Sequence, residues 1–133
     1  MAGMLYLVPT PIGNLGDISK RARETLESAD FIAAEDTRVT LKLLNHLELK
    51  KPLVSYYEHN KSFKGEKILD RILAGETCAL VSDAGSPAIS DPGEDLVKQC
   101  AAAGIPVCAI PGPCAAITAL SISGQSTGRF CFE

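Results

Sequence analysis

Thr77-Cys78-Ala79-Leu80-Val81-Ser82-Asp83-Ala84-Gly85-Ser86-Pro87-Ala88-Ile89-Ser90-Asp91-Pro92-Gly93 is the stretch from which the fold can be read. It opens on an apolar run, Cys78-Ala79-Leu80-Val81, of the kind that forms a strand buried on both faces. Beyond it, Glu94-Asp95-Leu96-Val97-Lys98-Gln99-Cys100 reads as a helix entered through Asp91 as N-cap, with Pro92 at the first helical position. The residues between, dominated by Gly, Pro, Ser, Asp and Ala, are far more than a tight strand-to-helix turn requires. In an open α/β sheet the loops leaving the C-terminal ends of strands are where ligands sit. This loop is expected to hold something small.

The same strand-then-helix unit recurs on either side. Strands are expected over residues 4–8, 31–35, 52–56, 77–82 and 106–110, with Leu5, Leu7 and Val8, and Val107, Ala109 and Ile110, again nearly continuous in apolar character. Helical spacing links Ile18, Ala22, Leu26 and Ala29, and then Leu41, Leu44 and Leu47 after Asp36 or Thr37 as cap. Ile68, Leu69, Ile72 and Leu73 form a third face ended by Gly75, and Leu96, Val97, Cys100 and Ala101 a fourth ended by Gly104. Residues 115–122 are small and apolar all round, which predicts a buried helix. Alternation of this kind specifies an α/β fold, a doubly wound, mainly parallel five-stranded sheet with helices on both faces.

Composition narrows the class. A chain of 133 residues with 46% hydrophobic and 22% charged residues suits one soluble domain with a proper core. No apolar run approaches the roughly 18 residues of a membrane span, and the start, Met1-Ala2-Gly3-Met4-Leu5-Tyr6, lacks a signal peptide's basic start and cleavage site. The cytoplasm is the expected location. The five cysteines (78, 100, 108, 114 and 131) show no Cys-x-x-Cys spacing and mostly sit in apolar runs, so they read as reduced structural thiols. His46 and His59 have no clustered partners, and no metal is expected. Net charge is −3, yet residues 38–71 carry eight Lys/Arg against four acids. That segment, with Tyr56, Tyr57 and His59, suits a polyanion or simply forms solvated helix faces.

Three further loops carry unusual residues. Pro9-Thr10-Pro11-Ile12-Gly13-Asn14-Leu15-Gly16-Asp17 follows the first strand, where a nucleotide-binding domain would show G-x-G-x-x-G. Its two prolines remove N–H donors, which argues against a phosphate cradle and leaves a connector, with Asp17 capping the next helix, or a site of another kind. Ala34-Glu35-Asp36-Thr37-Arg38 follows the second strand; capping explains Asp36 and Thr37 but not Glu35 and Arg38. Pro111-Gly112-Pro113-Cys114-Ala115-Ala116 follows the fifth and, like the loop at 82–93, lets main chain approach a ligand closely. With Asp83 and exposed carbonyls, such a hole favours a neutral or cationic ligand, as a sulfonium would be.

These four motifs, in this order and spacing, resemble the ribosomal RNA small subunit methyltransferase I group of the tetrapyrrole methylase superfamily, across the whole chain. The resemblance implies S-adenosylmethionine as cofactor and methyl transfer to the ribose 2′-oxygen of a cytidine in 16S rRNA of the small ribosomal subunit, by a homodimer. It implies a cofactor cleft on Pro9, Ser82, Asp83, Ala84, Gly85, Ser86, Pro87, Ala88, Ile89, Pro111, Gly112 and Ala115. Gly85-Ser86-Pro87 stands where corrin and sirohaem relatives carry Gly-Asp-Pro, which turns the reading away from the alternative, a tetrapyrrole C-methyltransferase. A non-catalytic S-adenosylmethionine-binding module is the other alternative. Glu35, Asp36 and Arg38, beside the cofactor loop, are the candidate catalytic residues, one acid as base and Arg38 orienting ribose or phosphate. Family members are roughly twice this length. Residues 1–127 are therefore expected to be an N-terminal methylase domain, and 128–133, with alternating Phe130 and Phe132, the start of a linker or strand to a second domain. The single domain is expected to be inactive alone.

Overall fold

The computed structural model describes residues 3–133; Met1 and Ala2, part of the amino-terminal stretch read above, lie outside the described residues. Five strands, β1 (Met4–Leu7), β2 (Phe31–Ala34), β3 (Leu53–Ser55), β4 (Thr77–Val81) and β5 (Val107–Ala109), form one sheet in the order β3-β2-β4-β1-β5. Every pairing is parallel, with Leu5 opposite Cys78 and Val107, and Ile32 opposite Ala79 and Leu53. The helices are α1 (Lys20–Ser28), α2 (Thr37–His46), α3 (Lys61–Leu73), α4 (Gly93–Ala102) and α5 (Ala115–Ser121). Each strand is shorter by a residue or so at its ends than the apolar runs suggest. The ladder nonetheless continues in single bonds, such as Val8 N–H to the Leu80 carbonyl at 2.9 Å and Ile110 N–H to Leu7 at 3.0 Å.

Strand order fixes which helix covers which face. The chain moves in one direction along the sheet from β1 through β2 to β3, and in the other from β3 through β4 to β5. Right-handed crossovers then put α1 and α2 on one face and α3 and α4 on the other. The two cores show this. One joins Ala22 and Leu26 of α1 and Leu43 and Leu44 of α2 to Ile32, Ala34, Ala79 and Val81. The other joins Ile68 and Ile72 of α3 and Leu96 and Cys100 of α4 to Phe31, Ala33, Cys78 and Leu80. Alternate residues of β2 and β4 feed opposite cores, which is why both strands are apolar throughout.

The helix ends follow local chemistry. Gly75 and Gly104 sit at φ +110° and +72° just past α3 and α4. There the N–H of the next residue reaches back, Glu76 to Arg71 and Ile105 to Cys100, as in a Schellman ending. Asp36 caps α2, its side chain accepting from Arg38 N–H at 3.0 Å. The helix begins one residue later than expected: Pro92, at φ −63°, holds the N-cap position, and Asp91 before it accepts from Gly93 N–H at 2.8 Å.

Two expectations need correction, and one alternative is narrowed. Asp17 does not cap α1: it lies in a separate 3-10 turn, Leu15–Asp17, capped by Asn14, and Ser19 accepts from Ala22 N–H to cap the helix. Residues 128–133, expected as a linker or a strand, form no strand. Helix α5 is not buried; it has no buried residue, and Ile117 and Ile122 are 51% and 84% exposed. Its apolar pattern is real, but the segment beside it, around Thr127, Phe130 and Phe132, leaves it open to solvent. All five cysteines are free thiols, Cys78 and Cys100 buried and Cys131 exposed. Burial raises the Cys78 thiol to about 12.

Candidate active site

Because β4 hands the chain to one face and its neighbours β1 and β2 hand it to the other, their C-terminal ends part around a crevice, the usual ligand position in a doubly wound sheet. Three loops meet there and are held by main-chain bonds. Thr10 and Gly85 exchange both hydrogen bonds, at 3.2 and 3.0 Å, as an isolated antiparallel bridge. Ser86 donates from its N–H to the Pro113 carbonyl at 3.0 Å and from its hydroxyl to the same oxygen at 3.3 Å. Gly112 packs against the buried ring of Pro9. The long loop is internally braced as well: Asp91 accepts from Ala88 N–H at 2.7 Å, holding Ala88 at φ +72°, a conformation a non-glycine residue adopts only under such restraint. Tyr56 donates to the Pro92 carbonyl at 3.0 Å from beneath.

Next to the Thr10–Gly85 bridge, with Gly85 in its wall, lies a cleft of about 530 Å³ lined by Ile12, Ala84–Ser86, Ile89, residues 114–117, Phe130 and Phe132. None of these residues carries a charged side chain. Small-molecule sites of about 300–1,000 Å³ are typically apolar in this way, with main-chain groups for orientation. A smaller slot, about 330 Å³, lies between the loop at 10–15 and α2, reached also by Ser82 and Asp83. Thr10 lines it, is 4% exposed, and has a hydroxyl with no hydrogen-bond partner.

Glu35, Asp36 and Arg38 stand at the end of β2, beside this slot but not in its wall. Asp36 N–H donates to Asp83 at 3.2 Å, tying the β2 loop to the β4 loop. Arg38 donates from Nε and Nη2 to the two Asp36 oxygens at 3.1 and 3.0 Å. That contact holds the Asp36 carboxyl below its ordinary range and accounts for Arg38, which capping alone leaves unexplained. Glu35 moves the other way. Partial burial, then the nearby Asp83, Asp91 and Asp36 charges, raise its carboxyl.

The residues expected to hold a cofactor divide. Ala84, Gly85, Ser86, Ile89 and Ala115 line the larger cleft, while Ser82 and Asp83 line the smaller slot. Pro9 and Pro87 are buried, and Pro9 with Gly112 supports the loops rather than facing either space. Pro111 is exposed and Ala88 half-buried, and neither lines a cleft. Sequence reasoning missed Thr10, Ile12, Ile117, Phe130 and Phe132. Thr10 and Ile12 lie in the Pro-rich loop singled out above and Phe130 and Phe132 alternate, but only the folding of these segments against one another makes them walls.

The Tetrapyrrole (Corrin/Porphyrin) Methylases family model matches residues 4–130. The chain belongs to this family. Among curated methylase relatives, the ribosomal RNA small subunit methyltransferase I of Synechocystis sp. is 55% identical over 131 residues, covering 98% of this chain and 47% of that protein. Its namesake from Halalkalibacterium halodurans is 58% identical over 130 residues, 98% of this chain and 45% of its own. The chain thus spans about half the length of the curated relatives it matches. Among solved structures, a conserved hypothetical protein from Aeropyrum pernix superposes with TM-score 0.78 at 22% identity, over 98% of this chain and 46% of that one. Uroporphyrin III C-methyl transferase from Thermus thermophilus gives 0.70 at 19%, over 95% and 55%. Both likenesses concern the methylase fold.

Proposed function

We propose that this chain is the N-terminal half of an S-adenosylmethionine-dependent enzyme that methylates the ribose 2′-oxygen of a cytidine in 16S rRNA of the small ribosomal subunit. The observation that carries the reading is 55% identity, over 98% of the chain, to a protein named for small-subunit rRNA methylation. In this reading residues 1–127 are the first domain, 128–133 lead to a second that closes the cleft, and the chain acts in the cytoplasm as a homodimer.

The larger cleft fits the cofactor. An uncharged lining with close main chain at Gly85 and Ser86 suits a zwitterionic sulfonium better than a polyphosphate, which would call for cations that the lining lacks. Bound there, S-adenosylmethionine would supply an electrophilic methyl carbon. The chain's task is to present a ribose oxygen in line, exclude water and take up a proton. Glu35, with its raised carboxyl, suits the base better than Asp36, which is committed to Arg38 and the α2 cap. As the carboxylate it would take up the hydroxyl proton as the ribose oxygen displaces sulfur from the methyl carbon, the electron pair of the broken C–S bond leaving with a neutral thioether. Arg38 spends two donors on Asp36 and has its remaining N–H groups turned to solvent for a phosphate.

The basic segment contributes unevenly. Lys51 donates to the Ala29 carbonyl at 2.9 Å, and Lys61 pairs with Glu58 and Asp95. Lys42, Lys50 and Lys64 make no ion pair among the described residues and are the better candidates for RNA phosphates.

The test uses a protein of the relatives' full length carrying this segment, assayed on 30S subunits. Glu35→Gln should cut turnover by about 10²–10⁴-fold with cofactor affinity kept, and the 133-residue chain alone should not methylate. Equal turnover of variant and parent would remove Glu35 from the mechanism. Absence of transfer to rRNA by the parent would refute the function.

A further inference from the structure

We infer that the smaller slot, between the turn at Leu15 and helix α2, receives the target base itself, flipped out of the RNA, and selects cytosine through Asp83. The inference rests on the rRNA-methylating function proposed above. Three features point to a flat, amine-bearing heterocycle. The walls are apolar and accessible: Leu15 and Val39 are 46% and 39% exposed, and Leu43 comes from beneath. Apolar faces of this kind receive a base taken out of its stack. Asp83 brings an acceptor: one oxygen takes the Asp36 N–H, and the other has no partner among the described residues. A carboxylate accepts from the N4 amine of cytosine and repels the O4 carbonyl of uracil. Thr10 lines the same slot, and its hydroxyl, buried without a partner, gains one if the side chain turns to donate to a ring carbonyl.

Position supports the assignment. Thr10 lines the slot and Gly85, its bridge partner, lines the larger cleft, so the two spaces are neighbours. A nucleotide with its base in the slot would carry its ribose toward that bridge and the cofactor side, with Lys42 at the slot for its phosphate.

The residues named for the slot all belong to this chain, so the 133-residue protein serves for a test by methyl NMR titration with CMP, UMP and S-adenosylmethionine. CMP should shift the Thr10, Val39 and Leu43 methyl signals saturably, with UMP about tenfold weaker, the equivalent of about 1.4 kcal/mol. Asp83→Asn should abolish the preference, since an amide can serve either pyrimidine. Val39→Glu, at an exposed wall position, should weaken both nucleotides about tenfold while the circular dichroism spectrum stays unchanged. Equal affinity for CMP and UMP, no saturable shift, or movement of the slot signals by S-adenosylmethionine instead would overturn the inference. rRNA methylation by the longer protein alongside such a base-blind slot would leave the proposed function standing. Absence of methylation with the CMP preference intact would do the reverse.

Discussion

Gly112 shows how a single missing methyl group positions the site. A Cβ placed there would lie 2.5 Å from Pro9 Cβ and nearer still to Cγ, inside a rigid, buried ring that has nowhere to go. Gly112→Ala should therefore force the β1 and β5 loops apart, cost about 1–3 kcal/mol in denaturant unfolding, and weaken cofactor binding in parallel. Retained stability would mean that the loops can part without cost. Glu35 is the opposite case, a residue whose local energy runs against stability. Its carboxyl is raised on folding, so the native state holds its proton more tightly than the unfolded chain, and stability falls as pH rises from the ordinary carboxylate range through the raised value. Glu35→Gln mimics the protonated form. It should raise the unfolding midpoint at pH 7 and leave it unchanged near pH 3.5; an equal gain at both would show that charge is not the cause. Such a residue, stabilising when neutralised and expected to lower turnover, is the pattern of a site that trades stability for activity.

At the scale of elements, Asp91 joins loop to helix. Its two oxygens take Ala88 N–H, at a left-handed residue, and Gly93 N–H at the start of α4. Asp91→Ala removes both and should cost about 1–2 kcal/mol, with Asp91→Asn, which retains one acceptor oxygen, recovering part of it. Urea unfolding measures this, and a loss near zero would mean that water replaces the carboxylate. The entry to α4 was legible to within a residue, because Asp-Pro-Gly-Glu brings an acceptor, a proline and an acid together, although Pro92 rather than Asp91 holds the cap position. The entry to α1 was not: Asp17 and Ser19 are both good caps, and an intervening 3-10 turn, stabilised by Asn14, hands the role to Ser19. The parallel strands were legible on separate grounds. Burial on both faces removes the period-2 alternation, and a short unbroken apolar run between helical patterns suits a covered strand better than a helix, for which it is too short. What sequence could not supply was contact between loops far apart in the chain, such as Thr10 with Gly85 and Ser86 with Pro113, and with it the division of one crevice into two spaces.

The whole molecule is finished on two faces and open at one end. Both faces of the sheet carry complete cores, whereas Ile89, Ile117, Ile122, Phe130 and Phe132 stay 51–84% exposed around the larger cleft and α5. Monomeric soluble proteins rarely leave so contiguous an apolar surface uncovered. Helix α5 departs from its expected burial for this reason: periodicity reports that a helix is to be covered, not what covers it. In the proposed enzyme the second domain does so. The 133-residue chain alone should then associate through this end, seen as concentration-dependent sedimentation. Phe130→Ser with Phe132→Ser should restore a monomer and shift the unfolding free energy by less than about 0.5 kcal/mol, because both rings are more than half exposed and belong to neither core. In a protein of the relatives' full length the same pair should behave differently: buried under the second domain, the substitutions should cost several kcal/mol, since each removes a large aromatic contact. Identical, small effects in both lengths would mean that this apolar end faces solvent in the complete protein and that the larger cleft has no second wall.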